Sequence, residues 1–226
     1  ANDGHARFEN VTAKSGLEVT LYGMGAACGD FDNDGWTDLY ITAVGTNRLF
    51  RNEQGTFRDV TESSGTAGDD SWSSSAAWID YNHDGRLDLF VGNYLKWSRE
   101  IDLAQDFRLV GVGRAYGPPI SFAGTVPFLF RNDGDGKFTD VAKEAGLHVL
   151  NPNTGVPMAK TLGVAPVDLD RDGWIDLVVA NDTVQNFVFH NHKDWTFEEI
   201  GVASGVAFDV GGNARGAMGI DVGYFR

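Results

Sequence analysis

A single cysteine in 226 residues excludes a disulfide within this chain, so another device must hold any loop-rich part in place. Cys28 lies in the small-residue segment Gly25-Ala-Ala-Cys-Gly. No basic partner recurs beside it, so it is expected to be a small buried side chain and not a nucleophile. Positive charge is also scarce: 18 Lys and Arg stand against 32 Asp and Glu, a net charge of −14. That balance disfavours phosphate backbones and anionic membrane surfaces, and nucleic acid is not an expected partner. No apolar run approaches the roughly 20 residues of a spanning helix. No signal peptide is visible at the N-terminus, so an exported chain is expected to be already processed. What the chain does have, 42% hydrophobic residues, is enough to bury substantial cores.

Eleven of the acids fall in three copies of one loop. The copies are Asp30-x-Asp32-x-Asp34-Gly35-x-x-Asp38, Asp80-x-Asn82-x-Asp84-Gly85-x-x-Asp88 and Asp168-x-Asp170-x-Asp172-Gly173-x-x-Asp176. Oxygen side chains at alternate positions can converge on one hard cation, and the glycine permits the sharp turn that returns the last carboxylate to it. About three Ca2+ sites are therefore expected. In each, the seventh residue (Trp36, Arg86 or Trp174) would add its carbonyl oxygen. The EF-hand pattern fails at its twelfth position, where Ile41, Val91 and Val179 stand in place of a bidentate Glu. The second loop, with Asn82 replacing a carboxylate, should bind most weakly. Buried-strand patterns follow each loop, as in Trp174-Ile-Asp-Leu-Val-Val-Ala, so the loops join strand to strand.

Two further motifs recur out of phase with the loops. Leu49-Phe-Arg-Asn, Leu129-Phe-Arg-Asn and Val188-Phe-His-Asn lead into polar turns. Phe8-Glu-Asn-Val-Thr, Phe57-Arg-Asp-Val-Thr, Phe138-Thr-Asp-Val-Ala and Phe197-Glu-Glu-Ile-Gly are each followed by a glycine at 16, 65, 146 or 205. Four strands per unit result, and self-similar units of this kind imply an all-β propeller with four-stranded antiparallel blades. The whole of 1–226 reads as one repeat array. Its units span roughly 17–61, 66–142 and 155–201, after an N-terminal strand at 6–12 and before an incomplete unit at 216–226. About three to four blades of a ring are expected in this chain.

These motifs resemble the FG-GAP/VCBS repeats, and the pairing of Leu-Phe-Arg-Asn with the acidic loop is similar to the ASPIC/UnbV and cartilage-acidic-protein group. The resemblance implies calcium between the first and second strands of a blade and a first strand lining the propeller axis, as in integrin-alpha-like rings. Proteins of this group often carry a cysteine pair in the excursion before the second Leu-Phe-Arg-Asn; here Arg114-Ala-Tyr-Gly-Pro-Pro has none. In the last, incomplete unit Tyr224 and Arg226 take the places of Asp30 and Asp32, so that loop is expected to have lost its metal.

The spacing of acidic loops grows from 50 residues (Asp30 to Asp80) to 88 (Asp80 to Asp168), marking residues 95–127 as an insertion between second and third strands. In a four-stranded meander it lies on the edge opposite the acidic loops. Trp97, Arg114, Tyr116 and Phe122 are its candidate partner-binding anchors, because aromatic and Arg side chains dominate binding hot spots. Against this, a long loop also packs its own aromatics for order. His190-x-His192 occupies a hairpin slot and reads as solvated, while the sequons at Asn10 and Asn181 are short enough to occur by chance. Carboxylates that repeat at identical loop positions are not a catalytic pattern, so binding is expected and an enzyme is not. The expected role is a calcium-stabilised scaffold for a protein partner or a larger assembly, outside the cytoplasm (extracellular or periplasmic), where calcium is plentiful. A glycan-binding or polysaccharide-lyase propeller is the alternative.

Overall fold

The computed structural model describes residues 4–223. It is all-β, and each repeat forms its own four-stranded antiparallel sheet. The first blade runs β1 (Tyr22–Gly29), β2 (Asp38–Val44), β3 (Arg48–Glu53) and β4 (Thr56–Asp59). The second uses β5 (Ser73–Ile79) and β6 (Asp88–Asn93), then leaves the sheet for the insertion, where β7 (Arg108–Leu109) and β8 (Gly113–Arg114) form a small ribbon. It returns through β9 (Phe128–Gly134) and β10 (Lys137–Asp140). The third blade is β11 (Thr161–Val167), β12 (Asp176–Asn181), β13 (Phe187–Asn191) and β14 (Phe197–Glu199). Within every blade the strands neighbour one another in chain order, the meander that the repeated motifs predict.

The first strands β1, β5 and β11 lie side by side, and small residues there are a steric requirement. A Cβ added to Gly25 would stand 2.7 Å from the Ser74 carbonyl oxygen. The Ser74 hydroxyl donates to the Thr161 carbonyl of the third blade. The cores lie between blades. Tyr40, Leu49 and Val60 of the first face Leu89, Val91, Phe130 and Phe138 of the second. Phe90 and Leu129 of the second face Leu177, Val179, Phe187 and Phe189 of the third. Alternation along the strand explains the Leu-Phe pair: Leu129 feeds one interface and Phe130, pointing the other way, feeds the other. Phe31 and Tyr81, from the acidic loops, plug into the next blade against Phe138 and Phe197, with ring centroids 5.7 and 6.1 Å apart.

Leu169 occupies the same loop position in the third blade and is 48% exposed, whereas Phe31 and Tyr81 are each 2% exposed. Residues 216–223 run beside β11, with Gly219 and Ile220 against Gly163, but they join no ladder. Tyr224 and Arg226 lie outside the described residues.

Three expectations are corrected. Residues 6–12 form no extended strand, only an isolated bridge at Phe8, which is 80% exposed, while every Leu-Phe-x-Asn strand among the described residues is paired with the Phe-x-x-Val strand of its own blade. The segment after Phe8 nevertheless does what its counterparts do, since the Phe57 amide donates to the Ser15 carbonyl at 2.7 Å. Cys28 is exposed, not buried. It alternates with Gly25, Ala27 and Gly29, which turn towards the second blade; on its own side Tyr22, Met24 and Ala26 are exposed as well. Phe122 is buried at 7% in a satellite core with Tyr94 and Leu95, so it is not a surface anchor.

The insertion is an ordered cap. It contains a short helix, Arg99–Ala104, N-capped by Ser98. Trp97 packs edge-on against Trp72, which is likewise edge-on to Tyr94. The Lys160 ammonium donates to the Pro119 carbonyl at 2.8 Å, and Asn93 to that of Val126 at 2.8 Å. Its removal would therefore uncover core side chains of the second blade.

The glycine that closes each repeat has a left-handed φ, +80° at Gly146 and +77° at Gly205. A Cβ on Gly146 would stand 2.6 Å from the Phe197 carbonyl oxygen of the next blade, but one on Gly205 would meet nothing within 4 Å. Gly205→Ala should cost only the conformational penalty, about 1–2 kcal/mol. Gly146→Ala adds a blade-separating clash and should cost roughly twice that. Denaturant midpoints of the two variants check this, and equal losses would show that the glycine does not set blade spacing.

Candidate metal centre

Each acidic loop is shaped by its own carboxylates. Asp30 accepts from the amides of Asp34 and Gly35 at 3.1 and 2.9 Å, Asp80 from those of Asp84 and Gly85 at 3.1 and 3.0 Å, and Asp168 from those of Asp172 and Gly173 at 3.0 Å each. The fifth-position aspartate, Asp34, Asp84 or Asp172, accepts from the amide of the seventh residue, Trp36, Arg86 or Trp174, at 2.8–2.9 Å. These turns fix the direction of the chain at the carbonyls expected to serve as ligands. The backbone is left-handed at the fourth residue (Asn33, His83, Arg171) and at the sixth, always glycine. The same fold is thus repeated three times by three different sequences.

The last aspartate is almost fully buried, at 0, 0 and 1% exposure for Asp38, Asp88 and Asp176. One oxygen accepts from the loop amide of Phe31, Tyr81 or Leu169, the other from the third-strand amide of Asn52, Asn132 or Asn191, all within 2.7–3.2 Å. Burial is the largest influence on two of these groups. It pushes Asp38 up to about 6 and Asp88 to about 7, against the lowering effect of the two amides, with neighbouring loop carboxylates raising them further. Asp32 is raised too, chiefly by burial, with Arg51 opposing and Asp34 adding to the rise.

Oxygens of Asp30, Asp32 and Asp38 lie within 4.8 Å of one another, as do those of Asp168, Asp170 and Asp172. Asp32 Oδ1 is buried and accepts no hydrogen bond. A protein cation stands at each loop: Arg51 Nε is 2.6 Å from Asp32 and its Nη2 3.3 Å from Asp34, Lys193 Nζ is 2.8 Å from Asp172, and the Arg86 guanidinium caps Asp84. An all-oxygen donor set with an orphaned buried oxygen and a borrowed positive charge fits a hard divalent ion. In the second loop Asn82 donates its amide to Asp84 at 3.2 Å, and no three acids converge there. Asp34 is turned to Arg51, and Asp176 to His190 Nδ1 at 3.1 Å, so these two stand outside the tight groups.

His190 is therefore half-buried against a candidate ligand and not simply solvated. Two other links escaped the sequence. The Asn33 amide reaches the Gly85 carbonyl at 3.2 Å, and His83 stacks on Trp174 at 4.1 Å, tying loop to loop. Both come from the fourth loop position, which is the signal that could have found them. On the opposite edge Tyr116 is 90% exposed, and the Arg114 guanidinium is held by the Asp102 and Leu103 carbonyls. A cavity of about 340 Å³ opens there between Tyr116, Trp97, Trp72 and Phe122. Asn181, the acceptor of the second sequon, is 0% exposed and cannot take a glycan in the folded chain.

Comparison with known proteins agrees with this geometry. The profile of the FG-GAP-like repeat matches residues 30–91 and 120–179, more than half of the chain and the whole of all three acidic loops. Cartilage acidic protein 1 of Xenopus tropicalis is 26% identical over 201 residues, covering 77% of this chain and 31% of the relative. Those of Mus musculus and Homo sapiens are 24% and 25% identical, covering 79% of this chain and 32% and 31% of their own lengths. The chain spans roughly a third of these relatives. No helix among the described residues is long and apolar enough to cross a membrane. With blades and loops repeated in register and the repeat profile matched over more than half its length, the chain belongs to the FG-GAP-like repeat family.

Proposed function

We propose that this chain is a calcium-stabilised, non-enzymatic interaction module that works outside the cytoplasm, extracellular or periplasmic, as a scaffold for a protein partner or a larger assembly. One observation carries the metal reading: the buried, unpartnered Asp32 Oδ1 within a group of three converging carboxylates. Asp30, Asp32, Asp34 and Asp38 would hold one ion with the Trp36 carbonyl, and Asp168, Asp170, Asp172 and Asp176 another with that of Trp174. Asp80, Asn82, Asp84 and Asp88 with the Arg86 carbonyl would hold a weaker third. A bound cation neutralises the mutual repulsion of the loop carboxylates and takes over the place now held by Arg51 and Lys193. Loops of this kind suit the weak affinities of extracellular modules, which favours a calcium-rich compartment. The opposite edge supports the interaction role, since Tyr116 and Trp97 frame an apolar cavity supported by the Tyr94, Leu95 and Phe122 core.

Calcium at about 100 times its dissociation constant should stabilise each occupied site by about 2.7 kcal/mol. For a domain of this size that is a rise of roughly 5–10 °C in melting temperature. Asp32→Asn should abolish the share due to the first loop. Calorimetry with and without calcium tests the reading, and an unchanged melting temperature would sink it.

The metal-free chain should also show a particular pH dependence. Asp38 and Asp88 are protonated more readily when folded than when unfolded, so their contribution to stability is complete below about pH 4 and is lost as pH rises to about 6–7. The calcium-induced gain should accordingly be larger at pH 7.5 than at pH 5, which thermal melts at the two values would show.

A further inference from the structure

A second site lies on the acidic-loop side, in the cleft between the first two blades. This cavity of about 530 Å³ is lined by Arg51, Arg58, Arg86 and Lys137, together with Asp32 and Asp135. Four cations around one cavity are unexpected in a chain with a net charge of −14. Nor does the blade fold require them. At the corresponding places of the cleft between the second and third blades the repeat puts Arg131, Thr139, Trp174 and Thr196, and there Trp174 is covered by His83. One cation of the four is kept. Lys193, standing where Gly134 lines the first cleft, adds a second cation but is held by Asp172 at 2.8 Å, so the lining by four cations is particular to the first cleft.

Two of these four cations take their partners from the acidic loops. Arg51 lies on Asp32 and Asp34, and Arg86 on Asp84 while also donating to the Asn132 carbonyl at 3.0 Å. Lys137 donates to the Ser63 carbonyl, a neutral partner, and exposed Arg58 pairs with Glu53 at 2.8 Å. A divalent ion in the first loop would claim the carboxylates of Asp32 and Asp34. Arg51 would then keep its place on the cleft wall and lose its counter-charges. Guanidinium groups match the oxygens of sulfate or phosphate in a bidentate way.

We propose that this cleft binds a tetrahedral oxyanion, and that calcium in the first loop strengthens the site by releasing Arg51 towards it. The calcium dependence rests on the metal reading above; the cleft itself does not. The cavity exceeds a lone sulfate, so the oxyanion has two possible sources, a free ion or the sulfate ester of a sugar.

Isothermal titration of the whole chain with sodium sulfate tests this, using protein stripped of metal and dialysed free of chelator, and the same protein reloaded with calcium. Calcium binding is titrated separately. Sulfate should bind the loaded form on the order of tenfold more tightly, the gain expected from one hydrogen bond between charged groups. By reciprocity it should tighten calcium by the same factor. Arg58→Gln and Lys137→Gln, both on exposed side chains, should each weaken sulfate without altering calcium affinity, while Thr139→Ala in the other cleft should change neither. A hexosamine sulfate that binds more tightly than sulfate assigns the sugar as source, and equal affinity assigns the free ion. Absence of sulfate binding to both forms, or binding indifferent to Arg58→Gln and Lys137→Gln, overturns the site. Equal sulfate affinity with calcium demonstrably bound overturns the coupling. If calcium fails to bind, the metal reading falls by itself, and sulfate binding to metal-free protein, present or absent, still decides the cleft.

Discussion

The structure depends on a carboxylate that has been taken out of water. In each blade the last loop aspartate accepts one amide from the loop and one from the third strand, and it is buried while doing so. A buried charged or polar group is tolerable only when its oxygens are occupied, so loop, second strand and third strand are fixed together or none is. The asparagine whose amide it holds carries the constraint onward. Asn132 donates its side chain to the Phe31 carbonyl of the first blade, and Asn191 to the Tyr81 carbonyl of the second, at 2.8 and 2.9 Å. Each acidic loop is thereby wired to the packing of its neighbour.

This wiring makes the shape of the acidic loops and the assembly of the blades one problem. Phe31 and Tyr81 lie one residue after the first loop aspartate and fill the next blade's core, so a loop that collapses withdraws an aromatic ring from an interface. Like charges crowded into such a loop favour collapse or protonation, and burial adds to both. A cation removes that tension. The protein's own cations Arg51, Arg86 and Lys193 stand against these carboxylates and relieve that tension in part, at the cost of ordering long side chains.

The two edges of the array are thus chemically distinct. One carries acidic loops and, in the first cleft, a cluster of cations drawn from strands, loops and a hairpin. The other carries the insertion, whose aromatics divide their labour: Phe122 and Trp97 hold the cap together and Tyr116 faces solvent. Such a division follows from the meander, which sends alternate connections to opposite ends of every sheet.

The amino-acid sequence determined the acidic loops and the strands of the three blades that carry them, because each is set by short-range rules: turn glycines, alternate oxygens, and period-two runs with Leu and Phe pointing to opposite faces. Repetition made those rules legible three times over. Tertiary structure alone decided which faces were covered. Cys28 has the composition of a buried strand residue yet is exposed, on the side of β1 where its neighbours Tyr22, Met24 and Ala26 are exposed as well. Phe122 has the composition of an anchor yet is buried, since Tyr94 and Leu95 stand beneath it. The stacking of His83 on Trp174, and the meeting of Arg51, Arg58, Arg86 and Lys137, join residues from separate strands, loops and blades. No local pattern encodes such meetings, because they depend on how one blade is rotated against the next, and that rotation is fixed by the packing of whole interfaces.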